Sequence, residues 1–235
     1  MEATRNAMTE SNLAKTGCEF FDKLTPSAFR DLTSIMFTSS YAPNITLFSE
    51  KEPVRGIYII LSGEVRLSIN SSDGRRLCLS IARKGEILGL ASTLSGSSYD
   101  MTAETLYPTK VAHIERRDFL NYLVRHPEVN LVVMEELSRH LTQARGQLRT
   151  VGLSATAPEK LARLLLEWSH GGQTTECGTR FRFNLTHEQI GEFIGASRET
   201  VTRTLTTFKN RQLVHFQGSM VTILSTTKLE NYAHA

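Results

Sequence analysis

Residues 185–208, LTHEQIGEFIGASRETVTRTLTTF, decide the fold of the C-terminal part of this chain. Thr186 and Gln189 have the spacing of a capping box, in which two polar groups satisfy free backbone N–H groups at a helix start. Three apolar residues then recur at helical spacing: Ile190, Phe193 and Ile194. Gly195 follows, and glycine is the residue type that most easily adopts the left-handed backbone conformation found at helix C-termini. The stretch therefore predicts a short helix with one buried face that ends at Gly195.

A second helix is predicted directly after the turn, with Ser197 as its N-terminal cap. Its inward-facing stripe is Val201, Leu205 and Phe208. Four residues remain on the other side, near the helix start: Arg198, Glu199, Thr202 and Arg203. Arginine can donate two hydrogen bonds to guanine, and a carboxylate can accept one from cytosine. We therefore expect these four to read bases. The alternative is a solvated face on which Glu199 and Arg203 form an i,i+4 ion pair.

Several of these residues also match a known pattern. Ile190-Gly191, Gly195 and the run SRETVTR at 197–203 resemble the DNA-binding signature of the Crp–Fnr family, and the resemblance extends from about Phe20 to Leu224. It implies a transcription regulator that binds double-stranded DNA as a homodimer, and that contacts RNA polymerase if it is an activator. The family's half-site for an Arg-Glu-x-x-x-Arg helix is TGTGA-like, so we expect a palindrome of such arms.

Other polar residues are candidates for contacts with the DNA backbone, which set register and carry no sequence information. They are Thr186, His187, Ser197, Thr200, Gln217 and Ser219. His187 stands where the cyclic-AMP receptor protein has an arginine, which predicts a weaker backbone contact. Gln217 and Ser219 lie at the tip of a hairpin predicted for LVHFQGSMVTIL at 213–224, the wing of a winged helix. Hairpin tips are often merely solvated, and that alternative stays open for both.

The composition excludes several classes of protein. The chain has 235 residues, 40% of them hydrophobic, which is enough for one large core or two modest ones. Its formal net charge of +3 permits nucleic-acid binding without requiring it. Its three cysteines are widely separated: Cys18, Cys78 and Cys177. They give no disulfide framework or metal spacing, and a reducing cytoplasm is the simplest compartment. We see no membrane span and no catalytic constellation, so we expect no enzyme.

We expect an α+β protein of four segments. They are a disordered leader (1–18), a β-roll or jelly-roll sensor domain (19–126), a dimerisation helix (127–153) and the winged helix-turn-helix domain (154–235). A hinge is expected at 154–158. Helical periodicity covers Phe20–Tyr41. Alternating strands at 65–69 and 77–81, joined by an Asp73-Gly74 turn, predict a hairpin. This region resembles the family's cyclic-nucleotide-binding β-roll, and Gly171-Gly172 with the polar run to Gly178 is expected to be loop.

The predicted long helix carries apolar residues at alternating spacings of three and four, the a/d pattern of a coiled coil. They are Met134, Leu137, Leu141, Ala144, Leu148 and Val151. The pattern favours pairing with a second copy, and the resembling family dimerises through this element. Part of the stripe is also expected to pack on the β-roll as an ordinary amphipathic helix.

The effector pocket departs from the cyclic-AMP receptor protein, in which Gly-Glu holds the ribose and Arg-Ser the cyclic phosphate. The matching residues here are Gly89-Leu90 and Tyr99-Asp100. Leucine cannot accept from a ribose hydroxyl, and an acid replaces a cation beside an anionic ligand, which argues against cyclic AMP. The candidate pocket residues are Leu88, Gly89, Leu90, Ala91, Tyr99, Asp100, Arg139 and Arg145.

Other effectors of the family have equally weak support. Only Cys18 lies near the N-terminus, which excludes a four-thiolate iron–sulfur cluster there. Haem would need an axial ligand such as His113, His126 or His140, each of which also fits a structural role. The segment at 87–100 resembles the branch that binds 2-oxoglutarate, with Arg139 or Arg145 as the cation. Both arginines equally fit solvent-facing helix positions, and that branch's loop arginine is absent from Tyr99-Asp100-Met101. Constitutive DNA binding remains open, as does a rival function, a cyclic-nucleotide-binding signalling module without a DNA-binding role.

Overall fold

The computed structural model describes residues 18–71, 76–153, 156–169 and 172–233, without the side chains of 147–153. It divides into two compact units: residues up to Ile69 together with Leu79–Gln143, and Asn70–Cys78 together with the residues from Ala144 on. The predicted leader up to residue 17, the Asp73-Gly74 turn and the first half of the predicted hinge lie outside the described residues. Cys18 does not belong to a leader: it is 1% exposed, and its thiol donates to the carbonyl of Gly85 at 3.2 Å.

The first unit begins with two short helices, α1 (Glu19–Asp22) and α2 (Pro26–Ser34). Thr25 separates them, because its hydroxyl accepts from the backbone N–H of Ala28 and Pro26 follows at the first helical position. The predicted helical structure up to Tyr41 is wrong beyond this point. Phe37–Tyr41 forms strand β1, which pairs with a distant strand, Thr109–Glu115.

Two four-stranded sheets form the β-roll. The remaining strands are β2 (Thr46–Phe48), β3 (Gly56–Ser62), β4 (Glu64–Asn70), β5 (Arg76–Arg83), β6 (Ile87–Leu88), β7 (Thr102–Thr105) and β8 (Thr109–Glu115). The sheet orders are β1-β8-β3-β6 and β2-β7-β4-β5. A short helix, α3 (Leu90–Ser95), follows β6. The predicted β-roll is confirmed.

Strand β3 lies between two apolar clusters, which explains why its sequence, GIYIILS, is almost continuously apolar. Ile57, Ile59 and Leu61 pack with the cluster that includes the helices. Tyr58 and Ile60 point the other way and pack inside the roll. The β-roll interior beside β3 is therefore filled by the protein's own side chains.

Helix α4 (Arg116–Arg125) and the long helix α5 (Val129–Leu153) complete this part of the chain. Between them, His126 is held by two carboxylates: Nε2 lies 2.9 Å from Asp31 Oδ2, and Nδ1 lies 3.1 Å from Glu128 Oε1. Asp31 belongs to α2 and also lies 3.5 Å from the guanidinium of Arg125. This cluster ties α2 to the junction between α4 and α5.

The His126 cluster predicts a pH-dependent stability. The Asp31 carboxylate and then Glu128 raise the pKa of His126 above 6.5, while the same contact lowers the pKa of Asp31. A raised folded-state pKa gives stability that is complete below the unfolded value and is lost as pH rises through the folded value. We expect the free energy of unfolding to fall as pH rises above 6.5 in the wild type, and to fall less in His126→Gln. Urea denaturation at pH values below and above 6.5 measures this free energy, and His215→Gln, at an exposed histidine, is the control. The same change of unfolding free energy with pH in wild type, His126→Gln and His215→Gln would contradict the prediction.

The second unit contains α6 (Ala157–Ser169), β9 (Gln173–Thr175), β10 (Gly178–Arg182), α7 (His187–Ile194), α8 (Arg198–Asn210), β11 (Val214–Gln217), β12 (Met220–Ile223) and α9 (Thr226–Ala233). Its sheet has the order β11-β12-β10-β9. The prediction of loop up to Gly178 is wrong, because β9 pairs antiparallel with β10; all three of its residues are exposed, so no apolar alternation marks it. Helix α9 was not predicted. The α+β architecture with a C-terminal winged helix-turn-helix is confirmed.

Candidate nucleic-acid interface

Helix α7 begins and ends as predicted. Thr186 Oγ1 accepts from the backbone N–H of Gln189 at 3.2 Å, and Gln189 Oε1 accepts from the backbone N–H of Thr186 at 2.9 Å. Gly195 ends the helix with φ +64°, in the left-handed region that favours glycine. At Gly191, a Cβ atom would lie 2.5 Å from the carbonyl oxygen of Ala196, so a side chain there would collide with the turn. The two glycines thus allow the tight turn between α7 and α8.

Helix α8 is capped by Ser197, whose hydroxyl accepts from the backbone N–H of Thr200 at 3.2 Å. The predicted inward stripe is confirmed, with Val201, Leu205 and Phe208 at most 5% exposed. Four threonines donate their hydroxyls to carbonyls four residues earlier: Thr202, Thr204, Thr206 and Thr207. These bonds fix the threonine rotamers along the helix.

The four residues expected to read bases all lie exposed on α8. The Glu199 carboxylate does not pair with Arg203 in the described structure. Its own backbone N–H, the Ser197 hydroxyl and the charge of Arg198 lower the pKa of Glu199. Glu199 is therefore a charged acceptor held at the N-terminus of α8, where the helix dipole also favours an anion.

His187 and Thr202, expected to contact DNA separately, are joined. His187 Nδ1 lies 2.8 Å from Thr202 Oγ1, which also lies 2.9 Å from the carbonyl oxygen of Arg198. Thr202 has a single hydroxyl hydrogen, so when it donates to that carbonyl it accepts from His187. It can then offer a base only its methyl group or a remaining lone pair.

The predicted wing hairpin is present as β11 and β12, and Gln217 and Ser219 are exposed at its tip. Thr186, His187 and Ser197 are also exposed, while Thr200 is half-buried. The sequence reasoning missed Arg180 and Arg182 on β10. Their signal was present in GTRFR, where two arginines alternate with the buried Phe181 and therefore share the exposed face.

The long helix carries large apolar side chains in solvent. Met134 and Leu141 are 57% and 54% exposed, and Ala144 is exposed as well. Leu137 packs partly against the apolar core of the first unit, so the stripe is shared between that core and solvent, as expected. The side chains of Leu148 and Val151 lie outside the described part.

Three of the residues expected to line an effector pocket are buried. Leu88, Leu90 and Tyr99 are core residues, at most 4% exposed. The Tyr99 ring stacks on Phe48 with a centroid distance of 4.0 Å. Its hydroxyl donates to the Gly56 carbonyl at 2.8 Å and accepts from the backbone N–H of Gly56 at 3.2 Å. The hydrogen bonds of the Tyr99 hydroxyl are therefore satisfied by backbone groups inside the β-roll.

The other candidate pocket residues are dispersed. Gly89 caps α3 with φ +72°, and Ala91 and Asp100 are exposed. Arg139 is engaged by Glu136 at 2.9 Å and lies 3.7 Å from Glu19, which leaves it poorly placed to bind a dicarboxylate. Arg145 is exposed. The residues predicted for the effector pocket thus range from buried to exposed, and an effector site there stays a prediction.

The histidines considered for haem have other partners. His126 lies between two carboxylates, His140 Nε2 lies 3.0 Å from Glu136 Oε1, and His113 packs on the Tyr58 ring at 4.6 Å. Burial lowers the pKa of His113. Across the described ranges, no group of three or more His, Cys, Asp or Glu residues is placed to hold a metal ion. No helix in those ranges has the length and hydropathy needed to span a membrane.

Removing the Tyr99 hydroxyl tests its structural role. Tyr99→Phe leaves the Gly56 backbone groups buried without this partner, which costs about 1–3 kcal/mol of unfolding free energy. Urea denaturation measures the change. Tyr41→Phe is the matched control, since Tyr41 is half-buried against the same cluster and its hydroxyl has no hydrogen bond among the described residues. Equal stability of the two variants would contradict this role for Tyr99.

Comparisons with known proteins agree with this geometry. The model of the Crp-like helix-turn-helix domain matches residues 159–232, and that of the cyclic nucleotide-binding domain matches residues 38–126. The CRP-like cAMP-activated global transcriptional regulator of Mycobacterium tuberculosis is 28% identical over 222 residues, covering 94% of this chain and 98% of that protein. The transcriptional activatory protein AadR of Rhodopseudomonas palustris is 27% identical over 227 residues, covering 96% and 93%.

Among solved structures, FixK2 from Bradyrhizobium japonicum has a TM-score of 0.75 at 24% identity, covering 86% of this chain and 98% of its own, and so has the same fold. The two domain matches lie in the order that the resemblance implies, and the named relatives match nearly the whole chain. The chain therefore belongs to the Crp–Fnr family and is a DNA-binding transcription regulator.

Proposed function

We propose that this regulator binds, as a homodimer, a palindromic DNA site with TGTGA-like arms. The observation that carries the proposal is the N-terminal half of α8, where Arg198, Glu199 and Arg203 are exposed on a helix with a fixed cap. That half of the second helix is the part that enters the major groove in helix-turn-helix proteins.

Each exposed residue has a role in this proposal. Arg198 and Arg203 each donate to a guanine, and the charged Glu199 accepts from a cytosine on the opposite strand. Thr202 contributes a methyl group or an acceptor, because its hydroxyl hydrogen is bonded within the protein. The candidate backbone contacts are Thr186, His187, Ser197, Thr200, Gln217 and Ser219.

The dimer would form through α5. Met134 and Leu141 expose apolar surface on the face that carries the 3-4 repeat, and pairing with a second copy would remove it from water. A two-fold dimer presents two α8 helices to a palindrome whose half-sites lie about one helical turn apart, roughly 34–36 Å. If the regulator is an activator, RNA polymerase is its further partner.

Cyclic AMP is not part of the proposal as an effector. Leu90 offers no acceptor for a ribose hydroxyl, and the buried Tyr99 ring stands at the position that the resemblance assigns to a phosphate-binding cation. The sensor unit is instead proposed to be competent without that ligand, or to respond to one of different chemistry.

Selection of binding sites from random duplex DNA, with full-length protein and no added ligand, tests the proposal. Recovery of a palindrome with TGTGA-like arms is expected. Repeating the selection with cyclic AMP and with 2-oxoglutarate shows whether either ligand changes the result. Failure to enrich any sequence under all three conditions would overturn sequence-specific binding by α8.

A further inference from the structure

Polar contacts link the tip of the wing to the end of strand β10. The backbone N–H of Phe183, directly after β10, donates to the carbonyl oxygen of Ser219 at 2.8 Å. Ser219 lies in the turn between β11 and β12. The end of β10 and the wing tip are thus held side by side, and Arg182 and Asn184 flank the point of contact.

The Asn184 side chain joins Arg182 to Ser219. In the orientation that satisfies both ends of the amide, its oxygen accepts from Arg182 Nε at 2.7 Å and from Nη2 at 3.0 Å. Its nitrogen donates to Ser219 Oγ at 3.1 Å. One neutral side chain therefore fixes a guanidinium plane beside the hydroxyl at the wing tip.

The donors left over point to an anionic ligand. A guanidinium has five N–H groups; Asn184 takes two of those on Arg182, and in the described structure the others have no protein partner. Ser219 Oγ accepts from Asn184, so its own hydrogen remains available to donate. Arg182 is exposed and held by an amide, which orients the cation without neutralising it as a carboxylate would.

The surrounding sheet face has the same character. The β-ladder places Arg182 opposite Met220 and Met220 opposite Gln217, so Gln217 shares the face of Arg182. Arg180 precedes Arg182 by two residues on that face. None of the residues in strands β9 to β12 is acidic. The exposed face beside the wing is thus cationic and polar.

We propose that Arg182, Asn184 and Ser219 form a binding site for a DNA backbone phosphate, which we call the wing-base site. Arg182 supplies the charge and two or more donors, Ser219 supplies a hydroxyl donor, and Asn184 is a positioning residue. The site rests on the proposed function and adds a phosphate contact outside α8. Because phosphate contacts carry no base information, the wing-base site strengthens binding to every sequence equally.

The test compares full-length Arg182→Gln with wild type, using a selected duplex and an unrelated duplex over a range of salt concentrations. The logarithm of the affinity falls linearly with the logarithm of the salt concentration, and each lost phosphate contact makes this negative slope shallower by about 0.9. The affinity for both duplexes should fall by the same factor, about 10- to 150-fold for each charged hydrogen bond lost. Lys228→Gln on α9 removes the same charge from the same unit and is the matched control.

A second variant separates charge from folding. Asn184→Asp keeps an acceptor beside Arg182 but neutralises it, so DNA binding should weaken while the unfolding free energy stays near that of wild type. A scan of single neutral methylphosphonates along the duplex should find one position in each arm that weakens wild type and leaves Arg182→Gln unchanged.

The outcomes distinguish this site from the proposed function. If Arg182→Gln has the same affinity and the same salt slope as Lys228→Gln, the wing-base site is overturned. This holds whatever the sequence preference of the wild type. Equal binding of both duplexes by wild type overturns sequence-specific recognition but leaves the slope comparison decisive for the wing-base site. Absence of binding to any duplex at low salt overturns both.

Discussion

Replacing Leu141 by glutamate is expected to dissociate the proposed homodimer into monomers and to weaken binding to a palindromic site at least about 100-fold. Leu141 is 54% exposed on α5, and Met134, seven residues earlier, is 57% exposed on the same face. Burying such side chains stabilises a dimer by about 1.5–3 kcal/mol each. In a two-fold interface the substitution occurs twice, and each unpaired buried carboxylate costs about 3–5 kcal/mol. These energies exceed the roughly 3 kcal/mol that corresponds to a 100-fold loss.

Sedimentation equilibrium measures the oligomeric state, and fluorescence anisotropy with a palindromic duplex measures the affinity. The matched control is Gln143→Glu, which adds the same charge at an exposed position of the same helix, away from the 3-4 stripe. The control should remain dimeric and bind as wild type does. A dimeric Leu141→Glu protein would show that the copies associate through another surface.

The helix-turn-helix could be predicted from the sequence because its signals are local. The Thr186 cap, its partner Gln189 and the terminating Gly195 act within one or two helical turns, and the backbone they specify is the one observed. The buried stripe of α8 follows from helical spacing alone. Periodicity and capping are properties of neighbouring residues, so no knowledge of the remaining chain was needed.

Elements defined by distant partners could not be predicted in the same way. Phe37–Tyr41 is a strand because β8 lies beside it, and the exposed, polar β9 has no apolar pattern that would mark it. Tyr99 was assigned to a ligand pocket, whereas its hydroxyl bonds to Gly56, 43 residues earlier in the chain. A sequence pattern cannot reveal whether a polar atom already has a partner so far away.

The candidate interface shows the same division. Exposure of Arg198, Glu199 and Arg203 follows from helical spacing, but the contact of His187 with Thr202 spans 15 residues and two helices. The hydroxyl hydrogen of Thr202 is donated to the carbonyl of Arg198, and the contact with His187 occupies one of its lone pairs. Local pattern therefore identifies which residues face DNA, and tertiary hydrogen bonding decides what each can offer.

Replacing Arg203 by alanine is expected to weaken binding to the selected site by about 1–3 kcal/mol and to relax base preference at one position of each half-site. Its guanidinium is exposed and forms no ion pair among the described residues, so its removal leaves no protein group without a partner. The expected loss therefore comes from the bidentate contact with guanine. Thr206→Ala, an exposed substitution on the same helix, should bind as wild type does and controls for effects on helix stability.

The two roles of Arg203 are distinguished with a set of duplexes in which each half-site position carries, in turn, each of the four base pairs. The affinity of Arg203→Ala and of wild type is measured for every duplex. As a base reader, Arg203→Ala loses affinity mainly for the duplex with guanine at one position, and the other three bases become nearly equivalent there. As a phosphate contact, it would lose affinity equally for all duplexes, and the salt slope would fall by about 0.9 per contact. The second outcome would assign guanine recognition to Arg198 alone, and would remove one specified base pair from each arm of the expected TGTGA-like site.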